Sequence, residues 1–322
     1  MRTALILSLI FFLLCSCGKK PSEVEAEAID LAQTYLSFDE CEKAIDVLEE
    51  AGRNRNNAIY LQVLASAYSC RATYSDTVFL TSEMSKIQTS GTDLMKSLTQ
   101  LTWSPETVAD STHYKDLRES LNILLNVDDN QPSQVAREAK YGARKAGDMG
   151  VQALLLSLTQ LGKFLHFYGN VDVDGNKGDG DPSVDEQTAT ASSCFINYTD
   201  ARALAFLAGL GGTCDGTKGH PNMSFAAPDL TSTKRRLCEG LMIVTNIIDI
   251  LNNLTLPDSI GDLTAIAATV TAFKTTITTT DPALETLINT TSQSTCETLV
   301  AGSGEFNNLQ YIYALLFEDG LP

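Results

Sequence analysis

From Ser22 onward apolar residues recur every three or four positions along almost all of this chain, and nowhere do they alternate with polar ones over a run of strands. A spacing of three and four places apolar side chains on one stripe of an α-helix, whereas a half-buried strand needs a period of two. The chain is therefore predicted to be all-α. Ile29, Leu31, Ala32 and Tyr35 mark a first helix, with Ser22 and Glu25 at capping-box spacing before it. Ala44, Ile45, Leu48 and Ala51 mark a second, and further helices are expected over 91–101, 116–126 and 132–146. Met149–Tyr168 carries Val151, Leu154, Leu155, Leu158, Leu161 and Leu165 on a wide stripe, which predicts a central buried helix. Pro228-Asp229 opens another, with Leu237, Leu241, Val244, Ile248 and Leu251 in register. Residues 258–277 repeat the pattern with Leu263, Ile266, Val270, Phe273 and Ile277, and period outranks the strand preference of the many threonines there. Pro282 to about Val300 and Asn307–Phe317 complete the series.

The chain begins with one cation, Arg2, an apolar run from Ala4 to Leu14, and small residues after it. That order describes a secretory signal peptide over 1–16, too short to span a bilayer comfortably. Leu14-Cys15-Ser16-Cys17 resembles the lipobox of bacterial lipoproteins. The resemblance implies that Cys17 becomes the first residue and carries a diacylglycerol and an acyl chain. Residues 17–22 then form a short tether, which holds the body close to the membrane. Gly18 also stands where enteric lipoproteins carry an aspartate resembling an inner-membrane retention signal. Together these imply an outer-membrane lipoprotein facing the periplasm.

Removing residues 1–16 from 322 leaves 306, enough for a large core, and removing Arg2 takes the formal charge from −17 to −18. So acidic a chain is a poor partner for nucleic acid or for anionic lipid headgroups, so the lipid itself carries the membrane attachment. The acidity reads equally as a docking surface or as simple solubility. Six cysteines remain after Cys15 and Cys17: Cys41, Cys70, Cys194, Cys214, Cys238 and Cys296. An even number in an exported chain predicts three disulfides, and the lack of a CxxC disfavours thiol redox chemistry and a clustered zinc site.

Leu31, Ala32, Tyr35, Ala44, Leu48 and Ala51 stand at packing positions of a tetratricopeptide repeat, which this segment resembles. A shift of 33 residues carries Leu31 to Leu64, Ala32 to Ala65 and Tyr35 to Tyr68, but Thr77 and Thr81 replace Ala44 and Leu48. A plain pair of antiparallel helices is the alternative. On the repeat reading, Cys41 opens the second helix of one hairpin and Cys70 closes the first helix of the next, which implies a bridge between them. Cys194–Cys214 and Cys238–Cys296 are then the most local pairing of the rest. The resemblance implies a repeat-like helical half over 23–168. An acidic loop at 169–197 follows, then a C-terminal helical bundle over 198–322, with one continuous helical array as the alternative.

Two Gly-rich stretches break the helical pattern, 169–197 and 209–228, the second containing Cys214. The first includes Asn170, Asp172, Asp174, Gly175, Asn176 and Asp181, which resembles the twelve-residue calcium loop of EF-hand and dockerin modules. Alternating short oxygen side chains converge on Ca²⁺, which takes six to eight hard ligands, and the glycine permits the sharp turn. Asn170, Asp172, Asp174, Asn176 and Asp181 are the implied ligands. Asn170 is neutral, Lys177 replaces the usual apolar anchor, and Pro182 follows directly, so a solvated acidic loop is the alternative.

No HExxH, GxSxG, phosphate-binding GxxxxGK[ST] or strand-borne GxGxxG occurs, and the three histidines, His113, His166 and His220, are scattered. The sequence therefore predicts a non-catalytic, lipid-anchored helical scaffold that binds another periplasmic or outer-membrane protein. The alternative is a lipoprotein that binds a small ligand or ion in a cavity between its halves. A polar-lined pocket of a few hundred Å³ would favour the second and an exposed groove the first.

Overall fold

The structure, a computed structural model, describes residues 20–87, 111–126, 133–169, 194–212, 214, 219, 223, 230–254 and 261–318. Among the described residues the fold is all-α, with no strand. The helices are α1 (Pro21–Leu36), α2 (Cys41–Ala51), α3 (Ala58–Arg71), a short α4 (Asp76–Val78), α5 (Thr112–Leu125), α6 (Gln134–Tyr141) and α7 (Ala143–Gly169). They continue with α8 (Ala201–Gly209), α9 (Leu230–Asn253), α10 (Gly261–Thr280), α11 (Glu285–Ile288), α12 (Gln293–Leu299) and α13 (Ser303–Tyr313). Among the described residues no helix is long and apolar enough to cross a membrane.

Short polar side chains start several of these helices by accepting from the otherwise orphaned first N–H groups. Asn57 Oδ1 accepts from Ile59 N (3.0 Å), Ser111 Oγ from Tyr114 N (3.2 Å), Ser133 Oγ from Ala136 N (3.1 Å) and Asp200 Oδ1 from Ala203 N (3.1 Å). The first helix starts earlier than its Ser22–Glu25 spacing predicts. Pro21 occupies its first position and the Lys20 N–H donates to Glu23 Oε2 at 3.2 Å.

Other boundaries also differ from the periodicity. The helix expected over 132–146 ends at Gly142, whose φ of +81° is left-handed and whose N–H closes α6 onto Glu138 O (2.9 Å). The helix expected from Pro282 is split into a 3₁₀ turn (Pro282–Leu284), α11 and α12. In α8, a helix that the sequence reading passed over, Asp200 is the cap. The threonine-rich α10 is helical as its period required. Thr275, Thr276 and Thr278 satisfy their hydroxyls on carbonyls four residues back, so they do not compete with the helix.

α1 and α2 form an antiparallel hairpin, α3 packs on both, and α5 packs on α3. Ala32, Ala44, Leu48, Leu64 and Ala65 are fully buried in this stack, while Leu31 is exposed. Leu64 is covered because α3 lies between the hairpin and α5, whereas α1 packs only on one side. After α3 the chain forms α4, a π-helical turn (Phe79–Glu83) and a 3₁₀ turn (Met84–Lys86) rather than a second long helix. Thr77 and Thr81 are exposed there, while Phe79 is buried in the core, Met84 packs against it and Ile87 is buried just beyond.

α7 is the axis of the molecule. It packs on α3, α5, α6 and α9, and every residue from Ala153 to Gly169 is buried. α9 in turn packs on α10, α12 and α13, so a single core runs from Ala28 to Phe317. The backbone of α9 comes closest at Gly240, where a Cβ would lie 2.3 Å from Tyr313 Oη and 2.5 Å from the Phe164 ring. Only a glycine lets α7, α9 and α13 meet at that point.

Candidate functional site

α5 and α7 on one side and α9 with the α11–α12 segment on the other line a cavity of about 290 Å³. Asn122, Asn126 and Arg235 stand exposed at its mouth. Leu121 and Leu125 of α5 and Met242 and Ile243 of α9 form its apolar walls, all buried. Its polar interior comes from Ser157 and Gln160 of α7 and from Glu239 and Asn246 of α9.

Glu239 is fully engaged. Its Oε1 accepts from Tyr114 Oη (2.9 Å) and Arg118 Nη1 (3.3 Å), and its Oε2 from Arg236 Nη1 (2.6 Å). The Arg236 guanidinium lies 4.7 Å above the Tyr168 ring, so the pair is held between an aromatic face and the carboxylate. Burial, followed by the Glu239 charge, raises the Tyr114 phenol well above its ordinary value, so it remains a neutral donor at every physiological pH. The carboxylate is thus neutralised inside the wall and offers no spare charge to the cavity.

The other three polar residues are not satisfied by the protein. Ser157 and Gln160 are each 1% exposed and Asn246 is 6% exposed. Ser157 Oγ, both polar atoms of the Gln160 amide and Asn246 Oδ1 have no hydrogen-bond partner. The orientation of Asn246 is set by its amide nitrogen, which donates to Met242 O (2.8 Å) and Thr291 O (3.1 Å) and leaves only the oxygen unengaged. Buried polar groups without partners cost roughly 1–3 kcal/mol each and are rare in folded proteins. The three side chains that carry these four atoms are among the residues lining the cavity. Ser157 and Gln160, three residues apart, share one helix face.

Disulfides brace this centre and the stack beside it. Cys41 is bonded to Cys70, Cys194 to Cys214 and Cys238 to Cys296, with Cα separations of 5.6, 5.7 and 5.8 Å. These are the three pairs read from the sequence. Cys238–Cys296 ties α9 to α12, next to Glu239 and Glu297, and so joins two walls of the cavity. Cys194, Cys214 and Glu318 form the one three-residue cluster of metal-capable side chains among the described residues. Both sulfurs are in a disulfide, and Glu318 Oε1 accepts from Phe195 N (2.7 Å) and Tyr198 Oη (2.9 Å), which makes the cluster structural.

The remaining expected site residues fall elsewhere. Cys17 and the implied calcium ligands Asn170, Asp172, Asp174, Asn176 and Asp181 lie outside the described residues, as do His220 and the helix expected over 91–101. α7 ends at Gly169, directly before Asn170. His166 is buried in α7 and His113 is exposed at the start of α5. Tyr68 is sandwiched between Arg71 (5.0 Å) and Arg53 (5.9 Å) and donates to Glu49 Oε1 at 3.1 Å. Ser157, Gln160 and Asn246 were passed over by the sequence reading. The signal for two of them was there, since Ser157 and Gln160 interrupt the leucines of the central buried helix at helical spacing.

A second feature lies across α1, α3, α4 and α7. Two open depressions of about 470 and 550 Å³ share Gln33 and Ile59 and run into one another. Ile59 (47% exposed) and Leu80 (49% exposed) lie along them, among Glu25, Asp30, Asp76 and Asp148.

No protein-family model matches the chain, and no curated protein and no solved structure matches it.

Proposed function

We propose that this chain is a non-catalytic binding protein of the bacterial envelope that holds a small molecule in the cavity between its helical halves. It is anchored by lipid on Cys17 to the outer membrane and faces the periplasm. The observation that carries the reading is one cavity, open to solvent, whose lining includes Ser157, Gln160 and Asn246, three side chains with partnerless buried polar atoms. Native mass spectrometry of protein purified from its own envelope tests it. The wild type is expected to release a small molecule that Gln160→Leu protein lacks, and wild-type protein carrying none would count against the reading. The anchor has a separate test, because Cys17→Ala is expected to abolish acylation and lose the membrane fraction. A membrane-bound variant of unchanged mass would refute it.

The groove supports a second reading, a tetratricopeptide-like scaffold that docks another envelope protein on its α1–α3–α4–α7 face. Exposed Ile59 and Leu80 among acidic residues are what favour it. Photo-crosslinkers at Ile59 and Leu80 are expected to capture one discrete protein that a crosslinker at the exposed Phe38 does not; no adduct would leave the cavity reading alone. In either reading the 170–181 loop is proposed to hold a structural Ca²⁺.

A further inference from the structure

We infer that the groove across α1, α3, α4 and α7 docks a short cationic amphipathic helix of another protein, with an apolar stripe between lysines or arginines. This rests on the scaffold reading above and names its partner's chemistry.

The floor asks for an apolar face. Single exposed apolar residues are ordinary on a protein surface, but Ile59 and Leu80 line one hollow together, with Val63 and Leu155 buried in its lining. Ile59 also lines the second hollow, beside the buried Ile29. Covering such side chains is favourable in proportion to the apolar area taken out of water.

The charges are of one sign. Every charged side chain lining the groove among the described residues is acidic, with Glu25 and Asp30 in one hollow and Asp76 and Asp148 in the other. The cations nearby in the chain are matched elsewhere, Lys43 with Glu40, Arg53 with Glu49 and Arg71 with Asp116. Glu25 accepts from the neutral amides of Asn54 (2.7 Å) and Asn57, which leave its charge unbalanced. A partner that brings a cation to each hollow supplies what the fold does not. The same carboxylates repel nucleic acid and anionic lipid headgroups, so the complement is a polypeptide.

The mode of docking follows from the walls. Extended peptides add to an open sheet edge, and the described residues contain no strand. Polyproline segments need aromatic ridges, and no aromatic ring lines either hollow among the described residues. A helix laid in the groove is the mode that remains. Ser22 and Gln33 bound its α1 side, a separation that corresponds to about three helical turns.

The test anchors full-length acylated protein in phosphatidylcholine vesicles, with protein-free vesicles as blank, and titrates three peptides of about four helical turns. One carries a leucine stripe between two lysine pairs. The second has glutamates for those lysines, and the third has glutamines for those leucines. The wild type is expected to bind the first at least about tenfold tighter than either of the others. Ile59→Ser/Leu80→Ser is expected to weaken it about tenfold. Asp76→Asn/Asp148→Asn is expected to weaken it about threefold or more, an effect that fades at about 1 M salt. Asp46→Asn/Glu50→Gln removes two exposed α2 carboxylates outside the groove and is expected to leave affinity unchanged. Circular dichroism confirms that the variants fold. Equal binding of the glutamate peptide, or equal weakening by the α2 variant, would overturn the charge match. Equal binding of the glutamine peptide, or affinity unchanged in both groove variants, would overturn the inference as well. If no peptide binds, the partner class is overturned, and the photo-crosslinkers then decide the scaffold reading separately. Sedimentation without peptide covers the other occupant: a dimer that Ile59→Ser/Leu80→Ser dissolves would give the groove to a second copy and overturn the inference.

Discussion

Replacing Gln160 by methionine should make the ligand-free protein more stable, which is unusual for a substitution at a 1% exposed position. Methionine is unbranched and of similar length, so the volume is nearly kept and little cavity or strain is introduced. What changes is the burial of an amide whose two polar atoms have no partner. Removing one such group recovers roughly 1–3 kcal/mol of desolvation. In a chain of this size that corresponds to a Tm rise of roughly 2–6 °C. Gln152→Met, on the same helix, is the control of opposite sign. The Gln152 amide donates to Ser66 Oγ (2.9 Å) and Gln62 O (3.3 Å), and losing those bonds should cost roughly 0.5–1.5 kcal/mol each. Thermal and urea unfolding followed by circular dichroism, on protein stripped of bound small molecules, read both. A loss of 1 kcal/mol or more in Gln160→Met would refute the reasoning, because it would mean that the Gln160 amide has partners that stabilise the fold.

Three further outcomes follow from particular groups. Burial raises the phenols of Tyr114, Tyr198 and Tyr313 well above 10, so their stabilisation is complete below pH 10 and is lost as pH rises beyond it. The unfolding free energy should then fall by up to about 1.4 kcal/mol per pH unit for each. Absorbance at 295 nm should show these phenols ionising only together with loss of helix; ionisation in the intact fold would contradict their burial. Non-reducing peptide mapping should link Cys41 to Cys70, and the Cys41→Ser/Cys70→Ser variant should lose roughly 3–4 kcal/mol for the 29-residue separation closed. A Cys41 peptide linked elsewhere would defeat the hairpin register. Millimolar Ca²⁺ should raise the Tm of the wild type and not that of Asp172→Ala/Asp174→Ala, and no response in the wild type would remove the calcium loop.

The sequence by itself determined the helices and their stapling. Helical period depends on residues three and four apart, so it survives in one dimension, and it correctly kept α10 helical against its threonines. The start of α2 and the end of α3 brought Cys41 beside Cys70, because adjacent antiparallel helices juxtapose such ends. Boundaries were less legible where one residue decided them, as at Gly142, whose left-handed φ stops α6. The cavity belongs to the tertiary structure alone. Ser157 and Gln160 read as minor interruptions of a leucine stripe, and Asn246 as an off-stripe residue of α9, until α7 and α9 packed together. Whether a polar atom has a partner is settled by which helices meet around it, and Gly240, Cys238–Cys296 and the Glu239 cluster bring those helices together from residues 58 to 125 positions apart.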